Sequence, residues 1–376
     1  MPLKSPVALD GKAIINCPTA TSFDVSIEPR GIVNVDTFSP DVTEDWATTH
    51  TFTVTGTEYL IEEAYIKVTL PALSSRLTYV NAAGVRYLEA VRLKVDGVVF
   101  EEYTWGFAYA QYQMREPSET LATINDLIGQ HHRADVNDFT KPLYIPLAFF
   151  FTRMKDQALA AALLGTLTIE VDTCDAEDII KQRAALFLGA TTVDNVSFTA
   201  PAMELVVNSI GVSDQIATKI PINIFESRIH TARARVDTYA VDGSGAVATV
   251  SIPAEWQPLR DLIVVTQYSD CTDSTDPYVS EAVTDVQVLY DGNVLAIGEQ
   301  AKFDTLPPVF NDNPSFTGYL SFNFDGSDRS SISFANLDLQ LTVPVTNTNA
   351  TIGIYAVVDE VLHYESGNVL VLPVTH

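Results

Sequence analysis

The sequence predicts an all-β protein built from two similar units in tandem, and three observations lead to this prediction. Apolar and polar residues alternate with a period of two in many short segments, which is typical of half-buried β-strands. Asp-Gly pairs at residues 96–97, 242–243, 291–292 and 325–326 separate such segments, and Asp-Gly favours tight hairpin turns. At 376 residues the chain also exceeds the roughly 250–300 residues at which one hydrophobic core stops growing.

Strands are predicted wherever the alternation is clear. Each such segment places apolar side chains on one face and polar ones on the other, as in sandwiches and barrels. The apolar members are Ala64, Ile66, Val68 and Leu70, then Leu167, Ile169 and Val171, then Val286 and Val288, then Leu337, Leu339, Leu341 and Val343, and finally Ile352, Ile354 and Ala356.

Helices are predicted to be few and short. Ser118 can cap a helix whose apolar residues recur at helical spacing up to Ile128, and Gly129 would end it. A shorter helix is predicted for QALAAALL, residues 157–164. The segment YTWGFAYAQYQM, residues 103–114, fits both helical spacing and strand alternation, so periodicity leaves it open.

An internal repeat divides the chain. VRLKVDGVVF (residues 91–100) resembles VQVLYDGNVL (286–295), and LLGTLTIEV (163–171) resembles LDLQLTV (337–343). The two segments lie farther apart in the first copy, and the extra residues coincide with the predicted helix and loop at residues 117–132. We expect an N-terminal arm over residues 1–20, a first unit over 21–185 and a second over 186–376, with a charged connector near CDAEDIIKQR.

Composition excludes several classes of function. The chain has 48 acidic and 22 basic residues and a formal net charge of -26, so we expect no direct binding to nucleic acid, which depends on Lys and Arg. Three scattered cysteines, Cys17, Cys174 and Cys271, do not suggest a disulfide framework. The apolar run in PLYIPLAFFFTR (residues 142–153) is too short for a bilayer, so we expect it to pack against protein.

The most serious catalytic candidate is EVDTCD, residues 170–175. Some β-sandwich glycoside hydrolases carry two carboxylates on one face of a strand, as Glu170 and Asp172 would lie here. Their motif has a further Glu where this chain has Cys174 or Asp175, so the favoured interpretation is the polar face of a strand. The common nucleophile, phosphate-loop and zinc motifs are absent from the sequence. We predict no catalytic residue.

Other polar clusters were considered as binding sites. For each, the favoured interpretation is an ordinary loop or surface, because the spacing of a known site is incomplete. The candidates are His131, His132, Asp135 and Asp138 for a metal, Asp270, Asp273 and Asp276 for Ca²⁺, and Arg228, His230, Arg233 and Arg235 for an anionic surface. We predict no metal and no cofactor, and we expect Trp46, Trp105 and Trp256 to be core residues.

Four segments, in the same order along the chain, carry a family resemblance. They are VRLKVDGVVFEEYTWGF, then PLYIPLAFFFTR with QALAAALLGTLTIEVDT, then IPAEWQPLRDLIVVTQ, and last GYLSFNFDGSDRSSISFANLDLQLTV with IYAVVDEVLHYESGNVLVL. Together they resemble the double jelly-roll major capsid proteins of icosahedral double-stranded DNA viruses, the lineage of nucleocytoplasmic large DNA viruses and tectivirus-like phages. Ala148 and Ala335 depart from the family pattern, where proline and arginine are usual.

The resemblance implies a fold and a function. The fold would be two tandem eight-stranded jelly rolls with short helices in loops, and residues 105 onward would be helical. The chain would be a non-enzymatic structural subunit of the virion, assembled inside the host cell as a homotrimer with a pseudo-hexagonal outline. Its partners would be other copies of itself in the trimer and in neighbouring capsomers, penton and minor capsid proteins, and an internal membrane reached by the N-terminal arm. Loops at residues 74–86, 117–141 and 268–278 would point outward.

Two other classes of function are retained as alternatives. One is a non-catalytic β-sandwich adhesin or carbohydrate-binding protein, which we expect to be monomeric. The other is a β-sandwich glycoside hydrolase, which would need a working carboxylate pair. The capsid interpretation differs from both because it predicts a trimer.

Overall fold

The structure is a computed structural model, and its regular elements are almost all β-strands. It describes residues 8–9, 12–13, 33–41, 45–55, 59–74, 76–115, 118–130, 136, 138–139, 141–153, 159–161, 164–182, 198–211, 224–240, 247–251, 259–268, 285–290, 293–299, 319–323, 337–342, 349–365 and 368–373. Of the expected N-terminal arm, only a hairpin of β1 (Ala8–Leu9) and β2 (Lys12–Ala13) lies within these ranges.

The first jelly roll consists of two antiparallel sheets with eight strand positions. One sheet has the order β3-β13-β5, with β10 and β9 pairing with successive stretches of the outer edge of β5; the other has the order β4-β11-β7-β8. When the strand positions are numbered in chain order, with β9 and β10 sharing position 6, the two sheets have the orders 1-8-3-6 and 2-7-4-5. The strands are β3 (Val33–Phe38), β4 (Thr49–Val54), β5 (Tyr59–Thr69), β7 (Leu88–Val95), β8 (Val98–Thr104), β9 (Leu143–Pro146), β10 (Leu159–Ala160), β11 (Leu167–Thr173) and β13 (Ala202–Gly211).

The second jelly roll repeats this order strand for strand. Its sheets are β14-β21-β16-β19 and β15-β20-β17-β18, which are again 1-8-3-6 and 2-7-4-5. A further strand, β22, pairs with the end of β21. The strands are β14 (Ile224–Ala240), β15 (Val247–Ser251), β16 (Leu259–Tyr268), β17 (Asp285–Tyr290), β18 (Asn293–Glu299), β19 (Tyr319–Asn323), β20 (Leu337–Thr342), β21 (Asn349–Glu365) and β22 (Asn368–Pro373).

The predicted repeat and double jelly-roll fold are confirmed. The two Asp-Gly hairpins occupy positions 4 and 5 of each jelly roll, and the second pair of repeated segments forms β11 and β20, both at position 7. The predicted boundary at residues 185–186 is wrong, because β13 pairs with β3 and β5 of the first jelly roll. The strand that closes the first sheet therefore comes after the charged connector, and the first unit extends to Gly211.

Two of the predicted strands, β5 and β11, have the predicted faces. In β11, Leu167, Ile169 and Val171 are buried while the residues between them are half-buried, and β5 buries Ala64, Ile66 and Val68. The Asp96-Gly97 turn between β7 and β8 has positive φ at both residues, 49° and 82°, as a tight hairpin turn of this kind requires.

The described helices lie between strands of the first half. They are α1 (Ala83–Tyr87), α2 (Trp105–Arg115), α3 (Ser118–Ile128), α4 (Phe150–Arg153) and α5 (Ala176–Ile179). The helix from Ser118 is confirmed, and Gly129 ends it with a φ of 79°. Residues 105 onward are helical, as the resemblance implied. The helix predicted for residues 157–164 is wrong at Leu159–Ala160, because these residues form β10 and pair with β5.

The expectation of an outward loop at residues 74–86 is also wrong. The short strand β6 (Leu77–Tyr79) pairs there with β12 (Ile180–Gln182), and every residue from 77 to 85 is buried. The Tyr79 hydroxyl donates to the carbonyl of Pro71 at 2.5 Å, which fixes the segment internally. Burial raises the Tyr79 pKa above its ordinary value. Within the described part of the chain, no helix has the length and apolar character needed to cross a membrane.

Candidate functional site at the junction of the two jelly rolls

The two jelly rolls meet at strand β8 of the first and strand β14 of the second. Both strands lie at the ends of their sheets as described, so two sheet edges come together. Helix α4 also contacts β14. The family resemblance implies a structural subunit, and the function of such a subunit would depend on the residues that set the mutual position of its halves. We therefore take this junction as the candidate functional site.

On the side of the first jelly roll, the junction includes the three consecutive phenylalanines. Phe149, Phe150 and Phe151 are at most 3% exposed. The ring centroids of Phe149 and Phe151 are 5.8 Å apart, and those of Phe150 and Phe151 are 5.5 Å apart. Phe149 also packs against Tyr103 of β8, at 5.3 Å. The apolar run is thus buried against protein, as expected from its length.

On the side of the second jelly roll, the junction uses one face of the sheet that contains β21. Residues 353–358 of β21 are all buried, so the strand is covered on both faces. Tyr355 and Val357, with Ala232 of β14 and Ile263 of β16, join the hydrophobic cluster of the first jelly roll. Strand alternation places Ile354, Ala356 and Val358 on the opposite face, toward the interior of the second jelly roll, and these residues are outside that cluster.

Tyr355 makes the most direct side-chain contact across the junction. The hydroxyl of Thr104 in β8 donates to its phenol oxygen at 3.0 Å, and the ring of Phe107 lies 5.8 Å away. The Tyr355 ring covers Gly353, where an added Cβ would lie 2.8 Å from the phenol oxygen. Burial raises the pKa of Tyr355 to about 12, although the Thr104 hydrogen bond acts in the opposite direction. The phenol is therefore neutral near pH 7.

A buried carboxylate, that of Glu101 in β8, lies in the same place and is fully buried. Its Oε2 accepts a hydrogen bond from the backbone N–H of Phe150 at 2.7 Å, and its Oε1 accepts one from the backbone N–H of Ala232 at 2.6 Å. The Tyr103 hydroxyl accepts a further bond from the Ala148 N–H at 2.8 Å. Side chains of β8 therefore bind the phenylalanine segment and β14 together.

The two carboxylates considered for catalysis lie elsewhere, on the face of β11 that carries its polar residues. Glu170 pairs with Lys94 at 2.5 Å, and Asp172 pairs with Arg92 at 2.7 Å. Burial by itself raises the Asp172 pKa, but hydrogen bonds from Arg92 and Thr49 and the nearby positive charges bring it below the ordinary value. Both carboxylates are thus held by cations of the neighbouring strand β7. Burial raises the pKa of the Cys174 thiol in the same segment.

The other predicted clusters are largely outside the described residues. This applies to His131, His132, Asp135, Asp270, Asp273 and Asp276, while Arg228, His230, Arg233 and Arg235 are described only as backbone of β14. Among the residues that are described, no group of His, Cys, Asp and Glu is arranged to hold a metal ion.

Two of the three tryptophans are described, and both pack partly buried against the first core. Trp46 meets Tyr87 edge-on at 5.5 Å, and its Nε1 donates to the carbonyl of Phe198 at 3.3 Å. The guanidinium of Arg86 lies 5.1 Å from the ring of Trp105. Trp256 lies outside the described residues.

Sequence reasoning assigned no role at the junction to Glu101, Gly353 or Tyr355. Alternation along β8 does place Glu101 on the same face as Tyr103, so an acidic residue on a buried face was visible in principle. Its partners were not, because Phe150 and Ala232 are 49 and 131 positions away in sequence.

Comparisons with known proteins agree with this architecture. Residues 32–210 match the family described as major capsid protein N-terminus. The PBCV-1 protein VP54, as fitted into a reconstruction of the virophage Sputnik, has 13% identity and a TM-score of 0.73, with 94% of this chain and 100% of that chain covered. No curated protein sequence matches the chain.

Two further solved structures have the same fold. The Faustovirus major capsid protein has 13% identity and a TM-score of 0.64, with 91% of this chain and 92% of that chain covered. The mavirus major capsid protein has 12% identity and a TM-score of 0.58, with 94% and 93% covered. The resemblance to double jelly-roll major capsid proteins is thereby confirmed.

Proposed function

We propose that the chain is the structural subunit of an icosahedral capsid, and the match of residues 32–210 to the family described as major capsid protein N-terminus supports this proposal. The observation that carries the proposal is the strand order, which is 1-8-3-6 and 2-7-4-5 in both halves of the chain. Two units of the same construction stand side by side in one polypeptide. The proposed function therefore depends on the shape of the subunit and not on a chemical reaction.

The duplicated fold suits a particular assembly. Three chains related by a threefold axis present six similar jelly rolls, which approximate a hexagon although only three subunits are present. Hexagonal units tile a flat facet. A homotrimer with a pseudo-hexagonal outline is the assembly that uses the repeat, and neighbouring trimers are its lateral partners in the virion.

We extend the proposal to the remaining partners. Penton and minor capsid proteins would complete the shell at its vertices and seams, and an internal membrane would lie beneath it, reached by the N-terminal arm of residues 1–20. The net charge of -26 argues against packaging of a genome by direct contact, because phosphate binding needs an excess of Lys and Arg. The shell would therefore be separated from the nucleic acid.

We also propose that the chain has no enzymatic activity. Glu170 and Asp172 each form an ion pair with a cation of β7, which is the arrangement expected of charged residues that stabilise the surface of a sheet. If the carboxylates belonged to a glycoside hydrolase, Glu170→Gln would abolish a measurable hydrolysis of glycans. We expect neither the wild-type chain nor this variant to hydrolyse them.

The oligomeric state tests the main proposal. Size-exclusion chromatography with light scattering should give a particle near three times the chain mass of 41.1 kDa, and negative-stain images should show a six-cornered outline. A particle that remains monomeric at all accessible concentrations would contradict the proposal. A monomer that binds glycans on an array would support the adhesin alternative instead.

A further inference from the structure

The edge of the second jelly roll at Ala232 poses a hydrogen-bonding problem. Strand β14 pairs with β21 along its whole length and has no strand on its other side in the described sheet. In an antiparallel pair, alternate N–H groups point away from the partner strand, so an edge strand has donors with no ladder to join. The Ala232 N–H is such a donor, because it binds the Glu101 carboxylate at 2.6 Å.

The segment that precedes α4 poses a similar problem. The Phe150 N–H belongs to the first turn of α4, where backbone N–H groups have no acceptor within the helix. It also binds Glu101, at 2.7 Å. Both sites are buried, so water is not available to replace the carboxylate. An apolar residue at position 101 would remove the acceptor to which both of these buried N–H groups donate.

We propose that Glu101 is the positioning residue that sets the mutual orientation of the two jelly rolls. Each of its oxygens binds a different segment, one in the first jelly roll and one in the second. A carboxylate is short and planar, so both bonds form together only when β14 and residues 147–153 lie at one relative position. Apolar packing around Tyr355 and the phenylalanines is less directional, so it holds the two jelly rolls together without selecting one orientation. The two hydrogen bonds of Glu101 select that orientation.

The next residue provides a matched control. Glu102 is on the same strand but points to the opposite face, where its side chain is 47% exposed and pairs with Arg92 at 2.8 Å. Both residues have the same side chain and lie next to each other on the same strand. A difference between variants of Glu101 and Glu102 therefore reports the contact across the junction and not the loss of a carboxyl group from β8.

Residue-resolved hydrogen exchange tests the proposal in the full-length chain. Glu101→Ala should accelerate exchange of the Phe150 and Ala232 amides by about tenfold, as expected for loss of a buried hydrogen bond. The amides of Thr231 and Arg233 point toward β21 and should keep their protection. Glu102→Gln should leave all four amides unchanged.

A second variant covers the case in which Glu101→Ala does not fold. Glu101→Gln keeps the size of the side chain but has one acceptor oxygen, and its NH₂ group would face an N–H donor. Exchange should then rise at one of the two amides. Unchanged exchange at both amides in the folded variant would overturn the proposal, as would an equal acceleration at Thr231 and Arg233, which would indicate general loosening of β14.

The consequence for assembly rests on the proposed function, whereas the exchange result does not. If the chain forms pseudo-hexagonal trimers, Glu101→Ala should lower the yield of regular particles relative to Glu102→Gln. A wild-type chain that fails to assemble would contradict the capsid proposal and still leave the exchange result to decide the role of Glu101.

Discussion

Gly353 illustrates how a single residue can permit a contact between domains. The Tyr355 ring lies over it, and an added Cβ would be 2.8 Å from the phenol oxygen and 3.0 Å from two ring carbons. Glycine weakens a strand relative to alanine by roughly 0.5–1 kcal/mol, so its presence in a central strand needs a reason. The reason here is the space taken by Tyr355 on its way to Thr104.

We therefore predict that Gly353→Ala destabilises the chain despite the better strand propensity of alanine. The overpacked site should cost about 1–3 kcal/mol in the free energy of unfolding, measured by chemical denaturation. In a Tyr355→Ala background the ring is gone, and the same substitution should cost little or become favourable. An equal cost in both backgrounds would show that Tyr355 is not the cause.

Asp172 provides a pH-dependent prediction. Its pKa in the folded chain is below the ordinary value of 3.8 because Arg92 and Thr49 stabilise the ionised form. The stabilisation is therefore present above pH 3.8 and is lost as the pH falls through the lower folded value. Asp172→Asn should reduce the free energy of unfolding near pH 7 by about 1 kcal/mol or less, since the pair is partly exposed.

Measuring the free energy of unfolding at lower pH tests the predicted direction of the pH dependence. The difference between Asp172→Asn and the wild-type chain should shrink on acidification and vanish once Asp172 is protonated. The exposed Asp41, changed to Asn, is the control for the loss of one negative charge. A difference that stays constant down to the acid limit would mean that Asp172 acts by packing and not by its charge.

At the scale of elements, predictions succeeded where local sequence and tertiary structure agree. The β7–β8 hairpin follows from alternation plus Asp96-Gly97, since few dipeptides adopt positive φ at both turn positions. Helix α3 follows from its apolar face and from Gly129, which ends it. The helix predicted for residues 157–164 was wrong. A run rich in Ala and Leu has high helix propensity, but the pairing of Leu159 with Ile61 at the edge of β5 outweighs that propensity.

Strand β8 shows a different limit. The register between β7 and β8 shifts at Leu93, which pairs with Glu101 while Lys94 pairs with Val99, so Phe100 is an extra residue. Such a bulge bends the strand and redirects its side chains. Nothing in the local pattern marks it. The position of Glu101 at the junction thus depends on a feature that periodicity could not show.

At the scale of the whole molecule, the repeat was visible in the sequence but the contact between its copies was not. Similar hairpins and strands recur because both halves have the same strand order. The junction breaks that equivalence, since β8 and α4 of the first half meet β14 and β21 of the second. Residues that are equivalent in the two folds therefore have different environments. Burial of residues 353–358 on both faces is one result.

This asymmetry leads to a prediction about unfolding. Because one face of β21 is part of the first hydrophobic cluster, exposing that cluster also exposes Tyr355 and Val357. The two jelly rolls should then unfold in one cooperative transition by calorimetry. Phe52→Ala, in the buried core of the first jelly roll, should cost about 3–5 kcal/mol and lower the temperature at which β21 amides lose protection from exchange.

The exposed Val35 of β3 is the matched control, because Val35→Ala removes apolar atoms from the same jelly roll without opening its core. It should leave the transition unchanged. If β21 stays protected after the first jelly roll of Phe52→Ala has melted, the second jelly roll is an independent folding unit, and the contacts of Tyr355 and Glu101 are too weak to couple the two halves. A single shared transition would instead mean that the junction couples the unfolding of the two jelly rolls, as expected of a shell subunit whose outline must stay fixed.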